Sequence, residues 1–228
     1  SMMASSLEQD TALVCELVKS KIQEDVRTII GVAGPPASGK STLAESVVQS
    51  LNLENKTSEP QAALLPMDGY HLDNRLLESR GLLARKGAPE TFNACGFCEA
   101  VKRLSEAKRT TYHPKFDRQM DLAIANSIAI HPETQVVVVE GNYLLLKSEP
   151  WSSLHEIFAA TVFVCPSTEA LRDRLQQRWI GHGLDPDAAI FRATRNDLPN
   201  AELVVRDSRE ADLRLNQNYT EFGVRYAY

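Results

Sequence analysis

The chain has 228 residues, with 30 acidic against 25 basic side chains and a formal charge of −5. Hydrophobic residues make up 43% and charged residues 24%, a balance that excludes a disordered, collagen-like or coiled-coil chain. An acidic chain does not take a nucleic-acid polyanion as its main partner, although a local basic pocket for a small anion is compatible with it.

This length fits one domain spanning 1–228, able to bury most of its unfolded surface without disulfide or metal staples. Ser1-Met2 ahead of Met3 reads as the remnant of an added tag, and Ser1–Asp10 lacks the basic start and apolar centre of a secretory signal. No apolar run approaches the roughly 20 residues of a membrane span. Residues Leu7–Val26 place Leu13, Val14, Leu17, Val18 and Ile22 at helical spacing. Thr28–Ala33 is a short β-branched run closed by Gly34-Pro35-Pro36, the pattern of a buried strand. Helical periodicity returns over Ser41–Leu51, a polar loop covers Asn52–Gln61, and Ala62–Met67 forms a second apolar run. Asp68–Phe92 has little periodicity, and helices are expected over Cys95–Lys108 and Met120–Ile130. Cys95 and Cys98 have the spacing of a redox dithiol or half a zinc site, but no second ligand pair follows, so two helical cysteines facing a core is the favoured reading. Four cysteines without an export signal suggest reduced thiols in a cytoplasmic compartment.

Gln135–Val139 is the strongest strand, a continuous β-branched run ending at Glu140. Continuous apolarity means burial on both faces, which parallel strands require. Thr161–Cys165 repeats the pattern, and Pro166-Ser167-Thr168 stops it and offers an N-cap for a helix over Glu169–Ile180. Pro186 or Asp187 opens another helix to about Arg195, Leu203–Val205 is a last strand candidate, and the tail from Asn216 to Tyr228 has no assignment. Strands alternating with helices predict an α/β chain with a parallel, doubly wound sheet.

Gly34-Pro-Pro-Ala-Ser-Gly39-Lys40-Ser41 fills every fixed position of the P-loop pattern, between a predicted strand and a predicted helix. Gly34 and Gly39 let the backbone approach phosphate oxygens. Pro35 and Pro36 lack an N–H, so the donors are expected from Ala37 through Ser41, including Ser38, with Thr42 behind them in the first helical turn. Lys40 would reach the β- and γ-phosphates of ATP, and the Ser41 hydroxyl would hold Mg²⁺. Glu140, at a strand end beside this loop, is the expected magnesium-associated acid, where many P-loop proteins carry Asp. Asp68 closes the second apolar run; a carboxylate there can take a proton from an acceptor hydroxyl or can be an ordinary turn aspartate.

The P-loop, Asp68-Gly69-Tyr70, Glu140-Gly141-Asn142-Tyr143 and the basic helix after Cys165 together resemble the uridine kinase, phosphoribulokinase and bacterial pantothenate kinase superfamily over roughly residues 28–206. Arg80-Gly-Leu82 and Arg85–Glu90 look similar to pantothenate kinase. Phe116-Asp-Arg118 and Asn196–Ala201 are most similar to a branch whose bacterial members are named fructose-transport-system kinases or nucleoside/nucleotide kinase family proteins. The resemblance implies a P-loop NTPase fold of three α/β/α layers, with five parallel strands in the order 2-3-1-4-5. It implies that Asp68 is the catalytic base, also close to the metal, and Glu140 the magnesium-associated acid. Arg174 and Arg178 match lid arginines, in a lid over roughly 172–195, and Asn200 falls near the adenine. A solvated helix face is the alternative for the two arginines. Related kinases form dimers or tetramers, so a homodimer is compatible with the resemblance.

The expected function is transfer of the γ-phosphoryl group of ATP to a hydroxyl of a small metabolite: a sugar, a nucleoside or a pantothenate-like alcohol. Candidates for the acceptor site are Tyr70, His71, Asn74, Arg85 with Lys86, Tyr112, His113, Arg118, Asn142 and Tyr143. Arg118 could bind an acceptor anion or pair with Asp117 or Asp121. The segment Tyr112–Arg118 departs from the uridine and pantothenate kinase patterns, and His131, His155 and His182 belong to no motif. The alternatives are an ATPase or nucleotide-switched regulator with water as acceptor, a module that only holds nucleotide, and a nucleoside monophosphate kinase. A guanine switch lacks its NKxD-like motif here, and no second phosphate site is evident for a monophosphate acceptor.

Overall fold

The computed structural model describes residues 6–55 and 61–216. Residues 1–2, most of the predicted loop after Asn55 and the tail from 217 onward lie outside them. Helix α1 (Leu7–Lys21) starts in a capping box between Ser6 and Gln9 and leads to strand β1 (Thr28–Ala33). The P-loop follows, then α2 (Lys40–Glu54) and β2 (Ala62–Pro66). Next come α3 (Asn74–Ser79), α4 (Ala94–Glu106), β3 (Thr111–Asp117), β4 (Leu122–Ile130) and β5 (Val136–Gly141). The chain then forms β6 (Ala160–Val164), α5 (Thr168–Gly181), α6 (Pro186–Arg192), α7 (Leu198–Asp207) and β7 (Leu213–Leu215).

One sheet runs in the order β2-β5-β1-β6-β7, with each neighbouring pair parallel. The hairpin β3-β4 stands outside it. With those two strands left out of the count, the succession along the sheet is 2-3-1-4-5. Side-chain alternation along fully buried strands splits the interior into two cores. Ile30, Val32, Val136 and Val138 pack with Val14, Val18, Leu43 and Val47 of α1 and α2. Ile29, Val137 and Val139 pack on the other side with Phe97 and Val101 of α4, Trp151, and Val204 of α7. The outcome is three layers, with helices on both faces of the sheet.

Three expectations need correction. Residues 120–130 are not helical. From Leu122 onward they form β4, because Leu122, Ile124, Ile128 and Ile130 recur at even spacing with small residues between them, a period of two. Its partner β3 shifts register between His113 and Lys115, around Pro114, which has no N–H to give the ladder. Leu203–Val205 lies inside α7, where Ala201 and Val204 are buried three residues apart, and the last strand is β7 instead. Cys95 and Cys98 do not share a core-facing side: Cys98 is buried and Cys95 exposed on α4.

The hairpin is moored to the sheet through the short 3₁₀ turn Met67–Tyr70. A Cβ on Gly69 would lie 2.3 Å from the Pro114 carbonyl oxygen, so only glycine lets β3 cross there. Burial pushes the Tyr70 phenol up to about 12, and its hydroxyl shares a hydrogen bond with His113 Nδ1 at 3.1 Å. The ring's other nitrogen shares one with Thr111 Oγ1 at 2.9 Å. His113 is buried, and that burial, with the positive charge of Arg103, holds its pKa below the usual histidine value.

A histidine whose folded pKa is depressed binds its proton more readily when unfolded, so its stabilisation is lost as pH falls below about 6.5. His113→Gln is expected to lower the thermal midpoint by about 3–8 °C at pH 7.5, through the lost hydrogen bonds. The gap to the unsubstituted protein should narrow by pH 5.5, because only the histidine is penalised by acid. Thermal melts at the two pH values check this; a gap that widens on acidification contradicts the neutral, doubly bonded ring.

Candidate active site

Strand β5 lies between β2 and β1, so three chain segments leave the sheet side by side at its carboxyl edge. The P-loop follows β1, Asp68 follows β2, and Glu140 lies near the end of β5, opposite Pro66 on one side and Val32 on the other. Helix α5 follows the adjacent β6. In doubly wound sheets this edge is where ligands bind.

The P-loop backbone turns through φ +61° at Ala37 and +89° at Gly39. Left-handed residues alternating in this way make a concavity of amides suited to an anion, and the start of the 15-residue α2 adds its positive end. The loop is packed tightly from behind: a Cβ on Gly34 would sit 2.3 Å from the Val164 carbonyl oxygen and 2.8 Å from Ser38 Oγ. Among the described residues Ser38 Oγ is buried with no hydrogen-bond partner. A buried hydroxyl without a partner is costly, and its presence in this cradle fits a ligand oxygen. Arg174, buried on α5, donates through Nη1 to the carbonyl oxygens of Ala37 and Ser38 at 3.3 Å each. It therefore supports the loop from outside and does not belong to a solvated helix face. Arg178, one turn further, lines the cavity.

Lys40 is buried and reaches the Pro35 carbonyl at 3.4 Å. Its burial drives the ammonium pKa down, against the pull of Glu140 and Asp68. Ser41 Oγ donates to Glu140 Oε1 at 3.0 Å. Burial, reinforced by the like charge of Asp68, pushes the Glu140 carboxyl up to about 7, although Lys40 and Ser41 oppose the shift. One hydroxyl and two carboxylates are hard oxygen ligands that fit Mg²⁺ held jointly with a nucleotide's phosphates. Among the described residues no three His, Cys, Asp or Glu side chains gather into a metal site of their own.

A cavity of about 780 Å³ opens beside Pro36 and Asp68, within the range of small-molecule sites. Of the residues singled out in the sequence, His71, Asn74, Arg118, Asn142 and Asn200 line it. Arg118 pairs with Asp68 at 3.5 Å, a partner beyond the Asp117 and Asp121 considered from the sequence. The remaining candidates lie outside the lining. Tyr70 and His113 bond to each other, Tyr112 is exposed on β3, and Tyr143 is fully buried with its hydroxyl donating to the Gly87 carbonyl. Arg85 points to Glu90 and Asn196, while its neighbour Lys86 lines the cavity. Phe92, Trp179 and Arg192, which the sequence did not single out, also line it, as do His182, which belongs to no motif, and Asp197 of the Asn196–Ala201 stretch. Trp179 donates its indole N–H to the buried Asp197, and Arg192 lies 4.7 Å from the Trp179 ring centre. Asp197 sits in a π turn (Ala193–Asp197) joining α6 to α7, a local irregularity that no periodicity in the sequence marks.

Known proteins agree with this geometry. The model of the phosphoribulokinase / uridine kinase family matches residues 29–213. The Escherichia coli K12 protein YggC is 35% identical over 187 residues, covering 82% of this chain and 76% of its own. A Schizosaccharomyces pombe protein named "putative uridine kinase" is 30% identical over 203 residues and covered to 86% on both sides. Among solved structures, a "putative fructose transport system kinase" from Silicibacter sp. TM1040 superposes with a TM-score of 0.83 at 41% identity, covering 90% of this chain and 98% of that one. No helix among the described residues is long and apolar enough to cross a membrane. A phosphate cradle at the carboxyl edge of a parallel sheet, a family match spanning most of that sheet and kinases among its relatives lead to one conclusion: the chain belongs to the phosphoribulokinase/uridine kinase family and is a P-loop kinase with an alcohol group as acceptor.

Proposed function

We propose that this kinase transfers the γ-phosphoryl group of ATP to a hydroxyl of a small metabolite, a sugar, nucleoside or pantothenate-like alcohol, with Asp68 as general base. The observation that carries this reading is that Asp68 shares one cleft with the P-loop. Its carboxylate pairs with Arg118 and is felt electrostatically by both Lys40 and Glu140. In this reading the P-loop amides from Ala37 to Ser41, with Thr42 behind them, hold the β- and γ-phosphates, and Asn200 lies toward the nucleotide's base. Ser41, Glu140 and Asp68 would hold Mg²⁺, which supplies charge neutralisation on the phosphates.

The acceptor hydroxyl stands between Asp68 and the γ-phosphorus. Its oxygen forms the new P–O bond while the bond to the β-phosphate oxygen breaks, and its proton passes to the Asp68 carboxylate. Lys40 and Arg178 face the charge that spreads over the transferred group. Arg174 keeps the loop carbonyls turned away from that charge. Acceptor contacts fall to His71, Asn74, Asn142 and Arg118, all around the cavity.

Asp68→Asn is expected to leave ATP binding near its original affinity and to cut turnover by roughly 10²–10⁴, read by calorimetry and a coupled ADP assay. Unchanged turnover removes Asp68 from the role of base. Lys40→Met should weaken both nucleotide affinity and rate, since one ammonium serves ground and transition states alike. Equal ATP affinity in that variant contradicts the placement of phosphates against the loop.

A further inference from the structure

The acceptor end of the cavity is bounded by the hairpin turn, the start of α3 and the loop around Lys86. Its cations are already committed. Lys86 Nζ donates to Asn74 Oδ1 at 2.7 Å, to the Asp121 carbonyl at 3.0 Å and to Asp121 Oδ1 at 2.8 Å. An ammonium has three N–H donors, and all three are taken. The Asn74 amide nitrogen also donates to Asp121, to the carbonyl and to Oδ2, at 3.1 Å each. The other cation at this end, Arg118, faces the Asp68 carboxylate.

Lone pairs, by contrast, are abundant. Asp68 and Asp121, whose carboxylate oxygens only accept, both line the cavity. His71 Nδ1 lies 2.8 Å from the Asp68 carbonyl oxygen, which can only accept, so this nitrogen carries the proton. In the neutral ring the other nitrogen, Nε2, is then the acceptor. Beside these acceptors stands a flat apolar flank. The His71 ring is 4.0 Å from the Phe92 ring centre and 4.8 Å from that of Phe116, each tilted by 38°. Lys86 covers the Phe116 ring at 5.0 Å.

Across the whole cavity wall the ionisable side chains other than histidine are three acids, Asp68, Asp121 and Asp197, and four cations, Lys86, Arg118, Arg178 and Arg192. Arg178 and Arg192 lie beside Trp179 near the buried Asp197, and Arg178 also acts on Lys40, on the phosphate side. The surplus positive charge is therefore where a triphosphate would lie, and the acceptor end is neutral, rich in lone pairs and walled by rings.

Resting on the kinase reading above, we infer that the acceptor is an uncharged, polyhydroxylated ring compound, a monosaccharide or a nucleoside, and that phosphate esters and hydroxy acids are rejected. Hydroxyl groups donate to the lone pairs that the acidic oxygens and His71 Nε2 still offer, and the apolar face of a sugar or base lies against the aromatic flank. An anionic acceptor brings only further lone pairs, and like charges set side by side cost several kcal/mol.

The test measures ADP release and product mass with MgATP over matched pairs: ribose and other monosaccharides against their phosphates, ribonucleosides against their 5′-monophosphates, and pantothenol against pantothenate. The sugar and nucleoside arms separate the two sources of a hydroxylated ring. At least one neutral ring compound is expected to be phosphorylated with a kcat/KM about 100-fold or more above its charged partner. A charged member used as well as its neutral partner, or turnover confined to charged or acyclic members, overturns the inference and leaves the kinase reading standing. ADP formed at one rate whatever alcohol is present overturns the kinase reading itself, and this inference with it. Asp121→Asn, which strips the neutralising charge from Lys86, is expected to move the kcat/KM ratio about tenfold toward the charged member of a pair. A ratio unchanged in a variant that melts normally shows that this charge balance does not select the acceptor.

Discussion

The cleft depends on charges held where neither is comfortable alone. Glu140 and Lys40 are both buried at the carboxyl edge of the sheet, and burial works against the charged form of each. Their mutual attraction offsets part of that cost, as does the Ser41 hydroxyl that donates to Glu140. Asp68 adds a second negative charge close enough to push Glu140 further up. Removing one member of such a cluster leaves an uncompensated buried charge, which costs several kcal/mol. The arrangement is therefore held by the scaffold and not by its own electrostatics. In the proposed reaction, polyphosphate and a divalent cation would bring counter-charges for the ammonium and for the two acids.

The scaffold can hold this cost because the residues around it are committed to packing. Val136 to Val139 are fully buried on both sides of the sheet, so the end of β5 is anchored before Glu140 is reached. Val164 presses its carbonyl against Gly34 from β6, and Arg174 ties the loop to α5 from the far side. Asp68 has a separate anchor. Gly69 lets β3 cross within contact of its turn, and the Tyr70–His113 bond closes that crossing. The phosphate side and the acceptor side are thus built by different parts of the chain and meet only at the carboxylates.

What could be read from the amino acids alone follows this division. The P-loop and Glu140 are legible because each is set by adjacent residues: a short contiguous pattern, and an acid closing an unbroken run of valines. The parallel sheet is legible for the same reason, since burial on both faces leaves continuous apolar runs. The hairpin hides because alanines between the isoleucines of β4 blur its period of two. Leu203–Val205 looks like a strand because three neighbouring apolar residues do not reveal that Val204 alone is buried. The acceptor side is harder still. Arg85 and Lys86 are adjacent, yet one turns to Glu90 and the other closes over Asp121, 35 residues away. No local pattern encodes that choice, and the same holds for Trp179 and Asp197, which meet only because a π turn resets the helical phase between α6 and α7.

The two arginines of α5 show how little spacing alone decides. Arg174 and Arg178 are one turn apart and share a face of the helix. The first is buried with its guanidinium on two P-loop carbonyls, and the second lines the cavity. A guanidinium that holds carbonyl oxygens in place is tied to the loop in every state in which the loop keeps its shape. Such a group sets the direction of the loop's amides, since turning a carbonyl outward turns the next N–H inward. The second arginine, further along the helix, faces the cavity instead. A substitution at Arg174 should therefore distort the cradle itself, whereas one at Arg178 should spare the cradle and weaken only what binds in the cavity.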